Sequence, residues 1–356
     1  MKINELRLES YRNIENISLS PCEGVNIIYG ENAQGKTNIL EAIFLFTGLK
    51  SFRSSRDSEL VMFGRDFSKI NAQFETSHRK NTAEIKITDR RRASLNGVSL
   101  KSPTELMSRF HASLFSPGFM SLIQNGPSER RKFIDSAICQ IKPRYASLLT
   151  EYTKLVKQRN AILKDNEDIK SIRLFLECIN DAFINLGEEI YKERKEYLDL
   201  LLPYVSEIYS GLSSGKEEIS FTYLRKGYHG EDSLCEIVKN HERADINAGI
   251  TLTGPHRDDI EININGVSAR SFGSQGQKRS AAIALKLSEA QVIKSITGEE
   301  PVILLDDVMS ELDTLRQDYI LNHIKNRQVF ITCCDPGSIL RMSEGKTFSI
   351  KEGRLR

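Results

Sequence analysis

Apolar positions along this chain alternate, cluster or recur every third or fourth place, and each habit predicts a different element. Ile3, Leu6 and Leu8 mark one strand, and Ile17 and Leu19 alternate with polar neighbours in the next. Val25, Ile27, Ile28 and Tyr29 form a short apolar run that stops at Gly30, as a buried strand does. After a loop, Ile39, Leu40, Ile43, Phe44 and Leu45 fall at helical spacing. Residues 70–100 read as antiparallel strands: Ala83, Ile85 and Ile87 alternate with polar residues, and Asn96-Gly97 is a tight-turn signal. Ile260, Ile262 and Ile264 alternate in the same way before Asn265-Gly266. Both turns read Asn-Gly-Val-Ser, which is shared turn chemistry and not an internal repeat.

From Ser128 to Leu212 the pattern turns helical. Leu148, Tyr152, Leu155 and Ile162 make one seam; Ile172, Phe175, Ile179, Phe183, Leu186 and Ile190 make a second. Paired runs of this kind predict an inserted helical subdomain or a short coiled-coil-like hairpin. Strand-helix order then returns, with apolar runs at Val302–Leu305 and Gln328–Thr332.

Composition narrows the class. The 356 residues are 39% apolar, 28% charged and 8% aromatic, enough to build a large core. Net charge is only +2, so any nucleic-acid contact must come from local basic patches. No apolar run is long enough to cross a bilayer, and Met1-Lys2-Ile3-Asn4-Glu5 lacks the layout of a signal peptide. Cys22, Cys139, Cys178, Cys235, Cys333 and Cys334 form no Cys-x-x-Cys pair. They are expected to be reduced, mostly buried thiols of a cytoplasmic protein with no membrane partner.

The chemistry starts where the first buried strand ends. Gly30, Glu31, Asn32, Ala33, Gln34, Gly35, Lys36 and Thr37 match the Walker A pattern in full, with a strand before and a helix after. The glycines let backbone N–H groups curl inward onto phosphate oxygens, and the helix that follows presents its positive end to the same anion. Lys36 then reaches the β- and γ-phosphates of ATP, and the Thr37 hydroxyl reaches Mg²⁺. The partner carboxylate belongs at the end of another buried strand, where Asp306 and Asp307 close the run from Pro301. Asp306 is expected to hold Mg²⁺ and Asp307 to orient or activate the attacking water, with Lys36 completing the catalytic set. Lys36 and Asp306 are 270 residues apart, wider than compact P-loop kinases allow but open to ABC- and SMC-type heads with a large insertion.

Ser274-Gln275-Gly276-Gln277-Lys278-Arg279 looks like the signature motif of that class, and Ser310-Glu311-Leu312-Asp313 like its D-loop. Ser51-Phe52-Arg53, Pro127-Ser128-Glu129-Arg130-Arg131 and Gly254-Pro255-His256-Arg257-Asp258-Asp259 add a narrower likeness. Across essentially its whole length the chain resembles the RecF family of ABC/SMC-type ATPases. The resemblance implies an α/β, two-lobed P-loop ATPase head with a mixed sheet, formed by residues 1–122 and 245–356. Residues 123–244 are then an inserted helical domain.

It further implies an ATP-dependent homodimer in which Ser274 and Gly276 cap ATP held by the second copy. Other implied partners are duplex DNA and single-strand/double-strand junctions, with RecR and RecO helping to load RecA. The chain departs from ABC transporters: Asp307 stands where they carry glutamate, and Thr332 lies about where their switch histidine would be. These departures suggest a slow ATPase used as a switch; the resemblance implies that it is weak and DNA-dependent. Gln124 and the stretch Phe115-Ser116-Pro117 compete for the Q-loop position. His256 and Arg257 could pack a turn or couple ATP to DNA. The basic clusters Arg90-Arg91-Arg92, Arg130-Arg131-Lys132 and Lys154, Lys157, Arg159 could neutralise phosphates or be solvated surface charge. A transporter's nucleotide-binding subunit and an SMC-like tether are the alternative readings; the wide Walker spacing and the short insertion argue against them.

Overall fold

A computed structural model describes residues 1–54, 56–164, 168–228, 233–340 and 345–356. The chain begins with strands β1 (Lys2–Tyr11), β2 (Ile14–Leu19) and β3 (Val25–Tyr29), then helix α1 (Lys36–Leu45). Strands β4 (Ser68–Glu75), β5 (Lys80–Ile87), β6 (Arg91–Leu95), β7 (Val98–Ser99) and β8 (Ala112–Phe115) follow. Helices α2 (Ser121–Gln124), α3 (Pro127–Ile141), α4 (Pro143–Lys164) and α5 (Ile169–Ser213) come next, then β9 (Ile219–Leu224) and α6 (Leu234–Ala248). The last third runs β10 (Asp259–Ile264), β11 (Val267–Ser268), α7 (Ala269–Phe272), α8 (Gln275–Thr297), β12 (Val302–Asp306), α9 (Thr314–His323), β13 (Val329–Cys333), α10 (Gly337–Leu340), β14 (Gly345–Lys351) and β15 (Arg354–Leu355).

Two six-stranded sheets enclose α1. The first is antiparallel, in the order β2-β1-β4-β5-β6-β7. The second is mixed, β15-β14-β3-β13-β12-β8, with β14, β3, β13, β12 and β8 mutually parallel. Strands β3, β13, β12 and β8 are buried along most of their length because both faces are covered there. Val302, Leu304 and Phe330 join the core around α1, with Ile39, Leu40 and Ile43. Ile303, Leu305, Val329 and Ile331 join the core built from α3, α5 and α8. This is why the runs before Asp306 and Gly30 show no alternation. A third sheet, β11-β10-β9, carries the alternating Ile260, Ile262 and Ile264, all buried. Both Asn-Gly turns have positive φ at each central residue, as a two-residue hairpin requires.

In the middle, α4 packs along α5 as a hairpin. The 22 residues of α4 limit the paired arm to about 33 Å. The far half of α5 lies instead along α8, against the head. Both seams shift slightly from expectation. On α5, Leu176 is fully buried whereas Phe175 is exposed, because the stripe runs Ile172, Leu176, Phe183, Ile190. On α4 it runs Tyr145, Leu148, Tyr152, Arg159, Leu163.

Arg159 is not surface charge like Lys154 and Lys157, because it lies on the buried seam of α4. Its side chain is 0% exposed and donates to Asp245 at 2.6 Å, to Thr251 at 3.0 Å and to Asn180 at 3.4 Å. Asp245 is equally buried. Removing one partner leaves an uncompensated charge inside the protein. Arg159→Ala is therefore expected to cost about 3–5 kcal/mol in urea unfolding; a loss below about 1 kcal/mol would mean that Asp245 finds another partner.

Among the described residues, no helix is long and apolar enough to cross a membrane. All six cysteines are free, and only Cys139 and Cys333 are buried.

Candidate nucleotide site

The loop between β3 and α1 owes its shape to two glycines. Gly35 has φ 109°, and a Cβ there would lie 2.8 Å from Asn13 Oδ1. Gly30 passes so close to Ile350 that a Cβ would overlap its carbonyl oxygen. The hairpin β14-β15 clasps the loop from outside: the Gly353 N–H donates to the Gln34 carbonyl at 3.1 Å, and the Glu352 N–H to the Gln34 side chain. Asn13, between β1 and β2, donates to the Ala33 carbonyl at 3.2 Å and accepts from Asn38 at 2.7 Å. These contacts fix the loop from both sides.

Lys36 opens α1 and curls back over the loop. Its ammonium donates to the carbonyls of Gly30 at 2.5 Å and Glu31 at 3.0 Å. Thr37 Oγ1 donates to Asp306 Oδ1 at 2.7 Å, joining chain positions 269 residues apart. Thr332, paired across β13 with Asp306 on β12, donates to the same oxygen at 2.8 Å and accepts the Asp307 N–H at 2.9 Å. Asp307 takes a left-handed backbone, φ 54°, which turns the chain sharply out of the sheet just past Asp306.

Burial raises the Asp306 carboxyl above the usual aspartate range; the hydroxyls of Thr37 and Thr332 and the nearby Arg53 oppose that rise. Arg53 reaches the site through Asn38, to whose oxygen it donates at 2.7 Å. Its loop is pinned by buried Glu41, which accepts from Tyr11, Arg12 and Ser51. Asn13, Asn38 and the link from Thr332 to Asp306 were not singled out from sequence. Only Ser51-Phe52-Arg53 gave a signal, as a family likeness.

This donor set suits a nucleotide with magnesium. A hydroxyl and a carboxylate are hard oxygen ligands, and one or two protein oxygens suffice when phosphates and water fill the remaining positions.

Ser274 caps the 23-residue helix α8. Its Oγ accepts the Gln277 N–H at 3.2 Å, and Gln277 Oε1 accepts the Ser274 N–H at 2.7 Å, a reciprocal capping box. Ser274 is exposed, and among the described residues no hydrogen bond joins 274–279 to 30–37. Gln124 donates to Gln275 at 3.2 Å, so it touches the signature turn. Phe115 instead lies opposite Leu305 in the sheet, which places the exit of β8 beside the strand that ends in Asp306.

The remaining likeness segments meet one another. Arg130 is buried and bidentate to Asp259 at 2.7 and 2.9 Å, and Arg131 donates to the Asp258 carbonyl. His256 sits between the Tyr152 hydroxyl at 2.9 Å and the Thr251 carbonyl at 3.3 Å, and burial lowers its pKa to about 4. Arg257 donates to the same Thr251 carbonyl. This cluster fastens the arm's base to the head, and Arg130 is spoken for within it. Arg91 likewise pairs with Asp57 and donates to the Leu49 carbonyl. Arg90, Arg92, Lys132, Lys154 and Lys157 are exposed.

Comparison with known proteins agrees with this geometry. The model of the RecF/RecN/SMC N-terminal domain family matches residues 2–354. The DNA replication and repair protein RecF of Clostridium acetobutylicum is 38% identical over 362 residues, covering 100% of this chain and 99% of that one. A solved structure of the recombination mediator protein RecF-ATP in the RecFOR pathway superposes with TM-score 0.88 at 36% identity, over 99% of this chain and 96% of that one. An Smc head bound to the C-terminal winged-helix domain of ScpA matches at TM-score 0.59 and 16% identity, over 100% of this chain and 96% of that one, which is a likeness of fold. The architecture is that of an ABC/SMC-type ATPase head.

Proposed function

The chain belongs to the RecF family, and on that premise we propose that it is an ATP-driven recombination mediator that closes as a dimer on DNA. ATP sits in the loop Gly30–Thr37, its phosphates against the backbone N–H groups and the start of α1. Lys36, whose ammonium lies at the loop beside the Gly30 and Glu31 carbonyls, serves the β- and γ-phosphates. Thr37 and Asp306 would hold Mg²⁺, which when bound would supply positive charge beside the transferring phosphoryl group. Asp307 orients the attacking water, and Thr332 fixes both aspartates through one hydroxyl. The observation that carries this reading is the 2.7 Å contact between Thr37 and Asp306 at a fully built phosphate loop.

Ser274 and Gly276, at the exposed start of α8, cap the γ-phosphate held by a second copy. Two copies closed in this way hold duplex DNA or a single-strand/double-strand junction between the head, residues 1–122 and 245–356, and the insertion, residues 123–244. Slow, DNA-dependent hydrolysis reopens them, so ATP shifts a population between open and closed states. With RecR and RecO, the closed form loads RecA at single-strand gaps in the cytoplasm. Phosphate contact falls to the exposed cations Lys132, Lys154 and Lys157, with Arg90 and Arg92; Arg130 and Arg159 are structural.

The test is RecA filament assembly on gapped duplex coated with single-strand-binding protein, in the presence of RecR and RecO. The chain is expected to speed assembly only with ATP. Assembly at the same rate without it, or with ADP, would remove the mediator role.

A further inference from the structure

Arg316 lies on the first turn of α9, just beyond the segment Ser310–Asp313. Its Nε and Nη2 donate to Ser280 Oγ at 3.1 and 3.0 Å, and Nη2 donates to the Gly276 carbonyl at 3.1 Å. Nη1 pairs with the Asp313 carboxylate, which also caps α9 by accepting the Arg316 N–H at 3.0 Å. One planar side chain thus joins the first two turns of α8 to the start of α9. Only a guanidinium offers enough donors, in fixed directions, to hold three acceptors on two elements. The absence of a side chain at Gly276 leaves room for it: a Cβ there would sit 3.3 Å from Nη2.

The same turn is held from its other side. Gln277 Nε2 donates to Glu217 at 2.7 Å, and Glu217 accepts the Tyr209 hydroxyl of α5 at 2.7 Å. Tyr319, one turn beyond Arg316, donates to the Ile208 carbonyl of α5 at 3.1 Å. The capping box of Ser274 and Gln277 is local to α8 and orders the helix end alone. The Arg316 bridge sets where that end stands relative to the segment after Asp307.

We propose that Arg316 is a positioning residue for ATP-dependent closure: it locks the signature turn and the D-loop into one surface, so that Ser274 meets the nucleotide of a second copy in register. This rests on the face-to-face dimer proposed above. A group acting across an interface must be held to within about 0.5 Å; Gln277 and Glu217 tie the turn toward α5, and Arg316 ties it to the D-loop.

The experiment compares the full chain with Arg316→Gln and Arg316→Lys, measuring fluorescent-ATP affinity, ATP-dependent dimerisation by sedimentation, steady-state hydrolysis and the urea midpoint. Arg316→Gln is expected to bind ATP within about twofold of the parent yet dimerise about tenfold or more weakly, the worth of a lost charge-assisted bridge. Its kcat falls while KM holds. Arg316→Lys keeps the pairing with Asp313 but cannot span to Gly276 and Ser280, and recovers only part of the dimer. A variant that dimerises and turns over like the parent overturns the proposal. So does a parallel loss of ATP affinity and urea midpoint, which marks a general structural role. A parent that stays monomeric with ATP overturns the dimer reading and this inference together.

Discussion

Asp306→Asn is expected to lose ATP turnover by a factor of about 10² or more while unfolding at the same urea concentration as the parent or a higher one. The two effects share one cause. Burial raises the Asp306 carboxyl above its ordinary range even though two hydroxyls donate to it. A carboxyl with a raised folded-state pKa favours its protonated form in the fold. Its stabilising contribution is present below the unfolded pKa, about 3.9, and is lost as pH rises through the folded value. At neutral pH the ionised group therefore opposes folding. An asparagine keeps an oxygen for Thr37 and Thr332 and carries no charge. What it gives up is the negative ligand that the proposed magnesium site needs, a familiar exchange of activity for stability. The measurement is a urea titration without nucleotide or Mg²⁺, beside steady-state hydrolysis with both. Turnover within tenfold of the parent, or a lowered urea midpoint, contradicts the account. For the parent, hydrolysis should fall in acid, where protons compete with Mg²⁺ for the carboxylate.

Ser274→Arg is expected to leave ATP binding intact and abolish the ATP-dependent dimer. Within its own chain the change costs about 1 kcal/mol of helix capping, since arginine cannot accept the Gln277 N–H and its charge faces the positive end of α8. That is too little to unfold a chain with two large cores. Across the dimer the change removes the hydroxyl and inserts a long side chain where two surfaces must meet. Turnover then falls by about 10² or more, because the partner's contribution is lost from the transition state. Equilibrium binding of a fluorescent ATP analogue and chemical cross-linking separate the two effects. If the variant is mixed with Lys36→Ala, one composite site is whole, formed by the intact loop of one chain and the intact Ser274 of the other. Recovery of turnover in the mixture is the expected result. A Ser274→Arg protein that cross-links with ATP as the parent does would place the signature turn outside any interface.

The legible parts of the molecule were those whose chemistry is local. The phosphate loop is a run of eight residues, and the strand before it and the helix after it both form. Val302–Asp306 could be read as a buried strand because a parallel sheet covered on both faces needs no alternation. The two Asn-Gly turns likewise carry their backbone geometry in two adjacent residues. What escaped the sequence depends on distant partners. Arg130 and Arg159 look like their exposed neighbours Lys132 and Lys157 until Asp259 and Asp245 arrive from more than eighty positions away. A basic residue on a helix gives no local sign that an aspartate waits on the same seam. Phe175 fitted the stripe of α5 as well as Leu176 did, since both satisfy a spacing of three or four; packing against α4 and α6 decided between them. Asn13 and Asn38 are ordinary polar residues in sequence, and only the fold brings the first under the phosphate loop and makes the second the relay to Arg53.

Sedimentation of the purified chain with Mg²⁺, with and without ATP and with and without a gapped duplex, tests the central claim most directly. The account predicts a monomer without ATP and, with it, a dimer that carries the duplex with it. A chain that remains monomeric with ATP and sediments apart from the duplex would contradict it.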